Sequence, residues 1–196
     1  MSQYVHPESL VDTNWVHEHA NDPNVKIVEV DVVTNIYEQG HIKNAIGWNW
    51  QLDLQDRVQR DVVDPRTFAE LCRRSGINND DTVVLYGDNN NWFAAWAFWQ
   101  FKYHGHKDVR LMNGGRKKWE LEHRHLTTQQ PTTTRSNYTI PATDESIRAY
   151  RDEVMSTLRQ NKINLVDVRS PDEYSGMIER SRPKCSASNF RRFHAS

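Results

Sequence analysis

Two cysteines, Cys72 and Cys185, are the only thiols in the chain. Cys185 and Arg191 (CSASNFR) have the Cys-x5-Arg spacing used by cysteine-dependent phosphatases. That chemistry needs a loop that leaves a buried strand and wraps backbone donors around phosphate ahead of a helix. Here the cysteine follows Arg-Pro-Lys in a polar tail, without a glycine or a strand. Cys185 is therefore read as an exposed, basic-flanked thiol with at most adventitious reactivity. Cys72 lies on the apolar stripe of a helical segment and is expected to be a small core residue. Three His-x-His pairs occur, at His17/His19, His104/His106 and His123/His125. Side chains at i and i+2 face one way only on a strand, and these pairs fall on or near helices, so no metal site is expected. No cofactor is expected either.

The whole chain sets the limits. Its 196 residues allow one domain and part of another. The hydrophobic fraction of 37% is low, but seven Trp, seven Tyr and six Phe supply large apolar surfaces for a core. With 25 basic and 26 acidic side chains, broad coating of nucleic acid is excluded as a function. The longest apolar run, Trp92 to Trp99, is too short to span a bilayer, and the first residues do not read as a secretory signal. Two cysteines cannot make a disulfide scaffold, so a reducing, cytoplasmic setting is expected.

Strands and helices alternate through the first 125 residues. Val25–Asp31 (VKIVEVD) alternates apolar with polar or charged residues, as a strand does. Thr82–Gly87 (TVVLYG) is a continuous apolar run suited to a strand buried on both faces. Val109–Met112 is a third, shorter strand closed by Asn113-Gly114-Gly115. Asp12 or Thr13 can cap a first helix. Asp64-Pro65 opens another, with Gly76 just past its end and Phe68, Leu71 and Cys72 on its apolar stripe. A third runs from about Trp92 to Tyr103, where Trp92, Trp96, Trp99 and Tyr103 recur at helical spacing and are expected to pack on the sheet. The pattern argues for a parallel α/β sheet covered on both faces.

Residues 127–136 (TTQQPTTTRS) are polar and aperiodic, and read as a linker that extends to about Glu145. A helix is expected over Ile147–Leu158, capped by Asp144 or Ser146, followed by a strand over Ile163–Val168 (INLVDV). Residues 179–196 then set Arg180, Arg182, Lys184, Arg191 and Arg192 against the single acid Glu179, and apolar periodicity ends.

Tyr37–Trp50 (YEQGHIKNAIGWNW), Val83–Tyr86 (VVLY) and Tyr103–Trp119 (YHGHKDVRLMNGGRKKW) together resemble the rhodanese family, specifically its tandem thiosulfate sulfurtransferases. Tyr37, His41, Ile42 and Ala45 match the family's first signature, while Lys43 and Asn44 replace its Pro-Gly. Gly105, His106, Val109, Leu111, Gly114, Gly115 and Trp119 match a second block more closely. The resemblance covers nearly all of residues 10–125 and resumes at about 146–176.

This resemblance implies an α/β, rhodanese-like doubly wound parallel sheet, with one complete domain (1–126), a linker (127–145) and the truncated start of a second domain (146–196) ending in an aberrant basic tail. In the family a cysteine thiolate in the loop after the central strand takes the outer sulfur of thiosulfate. It forms a persulfide and passes that sulfur to cyanide or a thiol. Tandem members usually keep this cysteine in the second domain. The corresponding loop here, Asp88-Asn89-Asn90-Asn91, has no thiol. It is read first as a local turn and cap, and otherwise as a relic active-site or recognition loop. The second-domain turn is present as Asp167-Val168-Arg169 and is expected to form a structural ion pair, while Glu173 stands where animal-type enzymes bind substrate with arginine. His41 and His106, within the family blocks, are expected to be structural hydrogen-bonding residues. No catalytic residue is assigned, and the expected function is that of an inactive member of the sulfurtransferase family. Thiosulfate and a cyanide or thiol acceptor are the partners of intact relatives; no nucleic acid or membrane is expected. The alternative is a non-catalytic regulatory or binding module.

Overall fold

The structure, a computed structural model, describes residues 4–59, 61–160 and 164–177. Its elements run β1 (Leu10–Val11), α1 (Thr13–His19), β2 (Val25–Asp31), α2 (Asn35–Gln39), β3 (Ile46–Asn49), α3 (Trp50–Asp53), α4 (Pro65–Arg74), β4 (Thr82–Tyr86), α5 (Trp92–Tyr103), β5 (Val109–Met112), α6 (Gly115–Leu121), α7 (Arg151–Gln160) and α8 (Pro171–Ser175). Two compact units result, Met1–Arg148 and Ala149–Ser196. Among the described residues no helix is long and apolar enough to cross a membrane.

In the first unit five parallel strands pair in the order β1-β5-β4-β2-β3. Chain order reverses between β4 and β2, so the crevice of this doubly wound sheet opens at the carboxyl ends of those two strands. Alternation along each strand sorts side chains to two cores. Val28 and Val30 of β2 and Val83 and Leu85 of β4 join Phe68, Leu71 and Cys72 of α4 and Ala94, Ala97 and Phe101 of α5. Ile27, Val84 and Tyr86 point the other way, to Val16 of α1 and Trp119 of α6. Burial of each such aliphatic or aromatic side chain contributes about 1.5–3 kcal/mol.

Local chemistry sets the helix starts. Asp12 accepts from the Trp15 amide, and Asp64 accepts from the amides of Arg66 and Thr67 with Pro65 in the first turn. Gly76 takes φ +69° after α4, where a Cβ would lie 2.8 Å from the Thr134 carbonyl oxygen.

Expectations about α5 and the linker are corrected. The strand at Val25–Asp31 forms as expected, with Glu29 and Asp31 buried along with Val28 and Val30. The sheet-facing stripe of α5 is Ala94, Ala97 and Phe101, because small residues let the helix approach the strands closely. Trp92 is exposed, Trp96 packs against the edge of the first core and donates to Leu54 O, and Trp99 donates to Ile147 O. Residues 127–145 form no free linker. Thr127 exchanges backbone hydrogen bonds with His41, Ser136 N donates to Arg73 O, Asn79 pairs with Thr139, and Tyr138 is completely buried. Polarity concealed this because the segment is held by side chains and by isolated backbone bonds to loops and helix ends instead of a regular ladder.

In the second unit, α7 begins at Arg151, four residues later than expected; Asp144, in the first unit, instead caps a single 3-10 turn, Glu145–Ile147. The expected strand does not form over residues 164–168, which have no regular structure; Ile163 lies outside the described residues. The start of α8 is fully encoded locally, by a capping box between Ser170 and Glu173 and by Pro171.

Candidate functional site

Beyond β4 the chain enters the crevice through Gly87. A Cβ on Gly87 would lie 2.4 Å from the Val30 carbonyl oxygen, so the position has no space for any side chain. Asn89, Asn90 and Asn91 then take φ of 49°, 57° and 65°. Three consecutive residues in the left-handed region are costly for most L-residues, and asparagine is among the few that visit it. Asn91 anchors the turn: its Oδ1 accepts from Gly87 N (3.1 Å) and its Nδ2 donates to Met112 O (2.7 Å). Gly115 has φ +57°, and its missing Cβ leaves room for Asn91 Oδ1, which a Cβ would approach to 2.3 Å. Arg116 N also donates to Gly87 O (3.0 Å). The loop Asp88, Asn89, Asn90, Asn91 is thus a turn fastened at both ends.

Beneath it lies a buried polar network. Glu29, wholly buried on β2, accepts from the Tyr86 hydroxyl and from Arg116 Nη1. Arg116 also donates to Gly40 O (2.6 Å) and, through Nε, to Glu120 (2.8 Å). Tyr86 accepts from Ile42 N (3.0 Å), tying the network to the loop before β3. Burial and the neighbouring Glu29 charge hold the Tyr86 phenol far above its ordinary pKa, so it serves as a fixed donor. Next to Glu29 on the same strand, Asp31 Oδ1 accepts from Asp88 N at 2.9 Å. Burial pushes both carboxyls up to about 6; Glu29 adds to the rise at Asp31, where hydrogen bonds from Asp88 oppose it, and Asp31 adds to the rise at Asp88.

The remaining candidates scatter. Cys72 is buried in the core, and burial raises its thiol well above the ordinary range, against thiolate formation. Cys185 and Arg191 lie outside the described residues. His19 stacks on Trp15 (4.1 Å between centroids), and His17 faces Trp119. His104 stacks on Phe68, whereas His106 bonds to Asp81 O and the Tyr138 hydroxyl. His41 stacks on Tyr37 and lies between the carbonyls of Tyr37 and Gln129. Among the described residues no group of three or more His, Cys, Asp or Glu is arranged to hold a metal ion. Asp167 and Arg169 pair locally, with Nη2 and Oδ2 2.6 Å apart.

Sequence reasoning missed Glu29, Asp31 and Arg116. Acids at the third- and first-from-last positions of an otherwise apolar strand were the available signal, since a strand buried on both faces must pair its charges.

Comparison with known proteins places this geometry. The model of the rhodanese-like domain matches residues 12–122. The chain is 56% identical over 178 residues to the sulfur carrier protein TtuD of Thermus thermophilus, covering 89% of this chain and 62% of that protein. It is 51% identical over 169 residues to a putative thiosulfate sulfurtransferase of Mycolicibacterium smegmatis, covering 86% of this chain and 60% of that one. The chain thus spans about three-fifths of the length of these relatives. Among solved structures, SseA from Escherichia coli, described as a 3-mercaptopyruvate sulfotransferase with the rhodanese fold, superposes with a TM-score of 0.79 at 20% identity, over 89% of this chain and 70% of that one. Tum1 from Saccharomyces cerevisiae superposes with a TM-score of 0.75 at 16% identity, over 89% and 65% of the two chains.

Proposed function

The chain belongs to the rhodanese family, and on that premise we propose that its first unit is the non-catalytic domain of a tandem thiosulfate sulfurtransferase, with the second unit as the start of the companion domain. The family's reaction moves a sulfane sulfur from thiosulfate to cyanide or a thiol through a cysteine persulfide. The observation carrying the proposal is the loop that leaves β4. Gly87 has no room for a thiol, and Asp88 follows with a carboxyl where an anionic substrate would be repelled. Among the described residues the sole thiol is Cys72, buried and held protonated. The loop residues Asp88–Asn91 act on this reading as a structural turn retained from an active-site position. The two relatives' names support sulfur chemistry for the longer proteins, and the low cysteine count supports a cytoplasmic setting.

Incubation of the purified chain with thiosulfate and cyanide is expected to give no thiocyanate above background. Thiocyanate that survives Cys185→Ser would overturn the proposal, and thiocyanate abolished by that substitution would move the chemistry to the tail. A second reading, a binding module without catalysis, is favoured by the complete core of the first unit. It requires a partner, and a strictly monomeric species with nothing retained in pull-down would count against it.

A further inference from the structure

The crevice between β4 and β2 holds two buried oxygens with no hydrogen-bond partner, Asp31 Oδ2 and Asp88 Oδ1. Asp31 is 1% exposed. A buried acceptor that accepts nothing is expensive, and a buried unpaired carboxylate is more so. The bond from Asp88 N to Asp31 Oδ1 (2.9 Å) brings the two residues together, yet two carboxylates have no proton to share. Adding one proton satisfies both oxygens at once. A hydrated cation would need space and further ligands, and each oxygen exposes less than 1 Å².

We infer that Asp31 and Asp88 form a proton-sharing pair that latches the 88–91 turn onto the end of β2, fastened while the proton is present and loosened when it leaves. The surrounding charges fit this assignment. Glu29, on the same strand, repels a charge on Asp31, but its own oxygens already accept from Tyr86 and Arg116. Arg116 on α6 is the cation whose field reaches Asp88; it favours ionisation there, but burial and Asp31 outweigh it. The backbone bond from Asp88 N to Asp31 Oδ1 holds the pair in register in either state, and Asn91 provides the hinge at the far end of the turn. This device is independent of sulfur chemistry and acts whether or not the loop retains any substrate.

Burial raises both carboxyls from the ordinary value of 3.8 to about 6. The sign follows: the stabilisation is complete below about pH 4 and is lost as pH rises through about 6. The two groups titrate as one unit, so the midpoint belongs to the pair.

The test is a carbon-13 carboxyl titration of the aspartate-labelled chain, with amide hydrogen exchange of residues 88–91. Expected are two coupled resonances moving with a midpoint near 6, and exchange of the turn, corrected for intrinsic rates, at least tenfold slower at pH 5 than at pH 8. Asp88→Asn supplies a permanent donor to Asp31 and should move its titration down by more than one pH unit. Asp31→Asn should flatten the fall of the thermal midpoint between pH 5 and pH 8. Both aspartates titrating below pH 4.5 in the wild-type chain would overturn the inference, without reliance on any variant folding. So would an Asp31 titration unmoved by Asp88→Asn, or a calcium or magnesium addition at pH 8 that shifts both resonances and raises the thermal midpoint.

Discussion

Two segments of this chain carry nearly the same pattern and meet opposite fates. Val25–Asp31 ends in Glu29-Val30-Asp31, and residues 164–168 lead into Asp167-Val168-Arg169. The first is a central strand between β4 and β3, with Val28, Glu29 and Val30 all at 0% exposure. The second has no regular structure, and Val168 is 92% exposed. Glu29 finds its cation 87 positions away, on Arg116, whereas the cation beside Asp167 is Arg169, two positions along. An alternating apolar run is thus permission to form a strand, while neighbouring strands are what make it one. A strand interior needs ladder partners for its backbone groups, and none of the described residues offers them to 164–168.

The largest effect that could break this contrast is at the buried ion pair. Arg116→Ala leaves Glu29 charged and uncompensated in the interior, and chemical denaturation should show a loss of about 3–5 kcal/mol. Arg169→Ala, which removes the corresponding exposed partner of Asp167, should leave the denaturation midpoint unchanged within error.

The segment 127–148 provides the next test, because it is as polar as residues 164–168 are apolar and yet is packed. Tyr138→Ala empties a fully buried site and should destabilise by about 3 kcal/mol. Limited trypsin digestion of the wild-type chain should leave a resistant product that retains Tyr138, and early cleavage after Arg135 would contradict the packing described. In the variant, that cleavage should become fast.

A smaller difference sharpens the comparison of the strands themselves. Val30→Ala should cost about 2 kcal/mol by leaving a small cavity beneath the sheet. Val168→Ala, at an exposed site, should stay within about 0.5 kcal/mol of the parent. Equal costs would show that residues 164–168 are buried in solution.

The smallest effect concerns acid. Burial lowers the His104 imidazole to about 4 from its ordinary 6.5. Its contribution to stability is present above pH 6.5 and is lost as pH falls through about 4. The acid pair at Asp31 and Asp88 works in the opposite direction in the overlapping window. Replacing His104 by leucine should therefore make the acid side of the stability curve shallower, as measured by thermal midpoints from pH 7 to pH 4.

Much of the architecture was legible in the residues. The Asp64-Pro65 start, the β-branched run at β4 and the family blocks around His41 and Gly114-Gly115 each depend on neighbours within a few positions. The loop after β4 was legible as a place, and its three asparagines as a turn. Its attachment was not, because Asn91 bonds to Met112 O, 21 positions on, and Asp88 to Asp31, 57 positions back. The tryptophans of α5 misled for a related reason: helical spacing marks a face, but the closeness of helix and sheet chose the alanines.

The sequence by itself determined the family, the alternation of strands and helices around β2, β4 and β5, the starts of α1 and α4 and the lack of a thiol in the loop after β4. Those are properties of residue type and short spacing. The tertiary structure alone decided that Glu29 would be neutralised by Arg116, that Asp31 and Asp88 would meet, that residues 127–148 would close over the first core and that residues 164–168 would remain unpaired. Burial and strand pairing depend on groups dozens of residues apart, and only the folded chain brings them together.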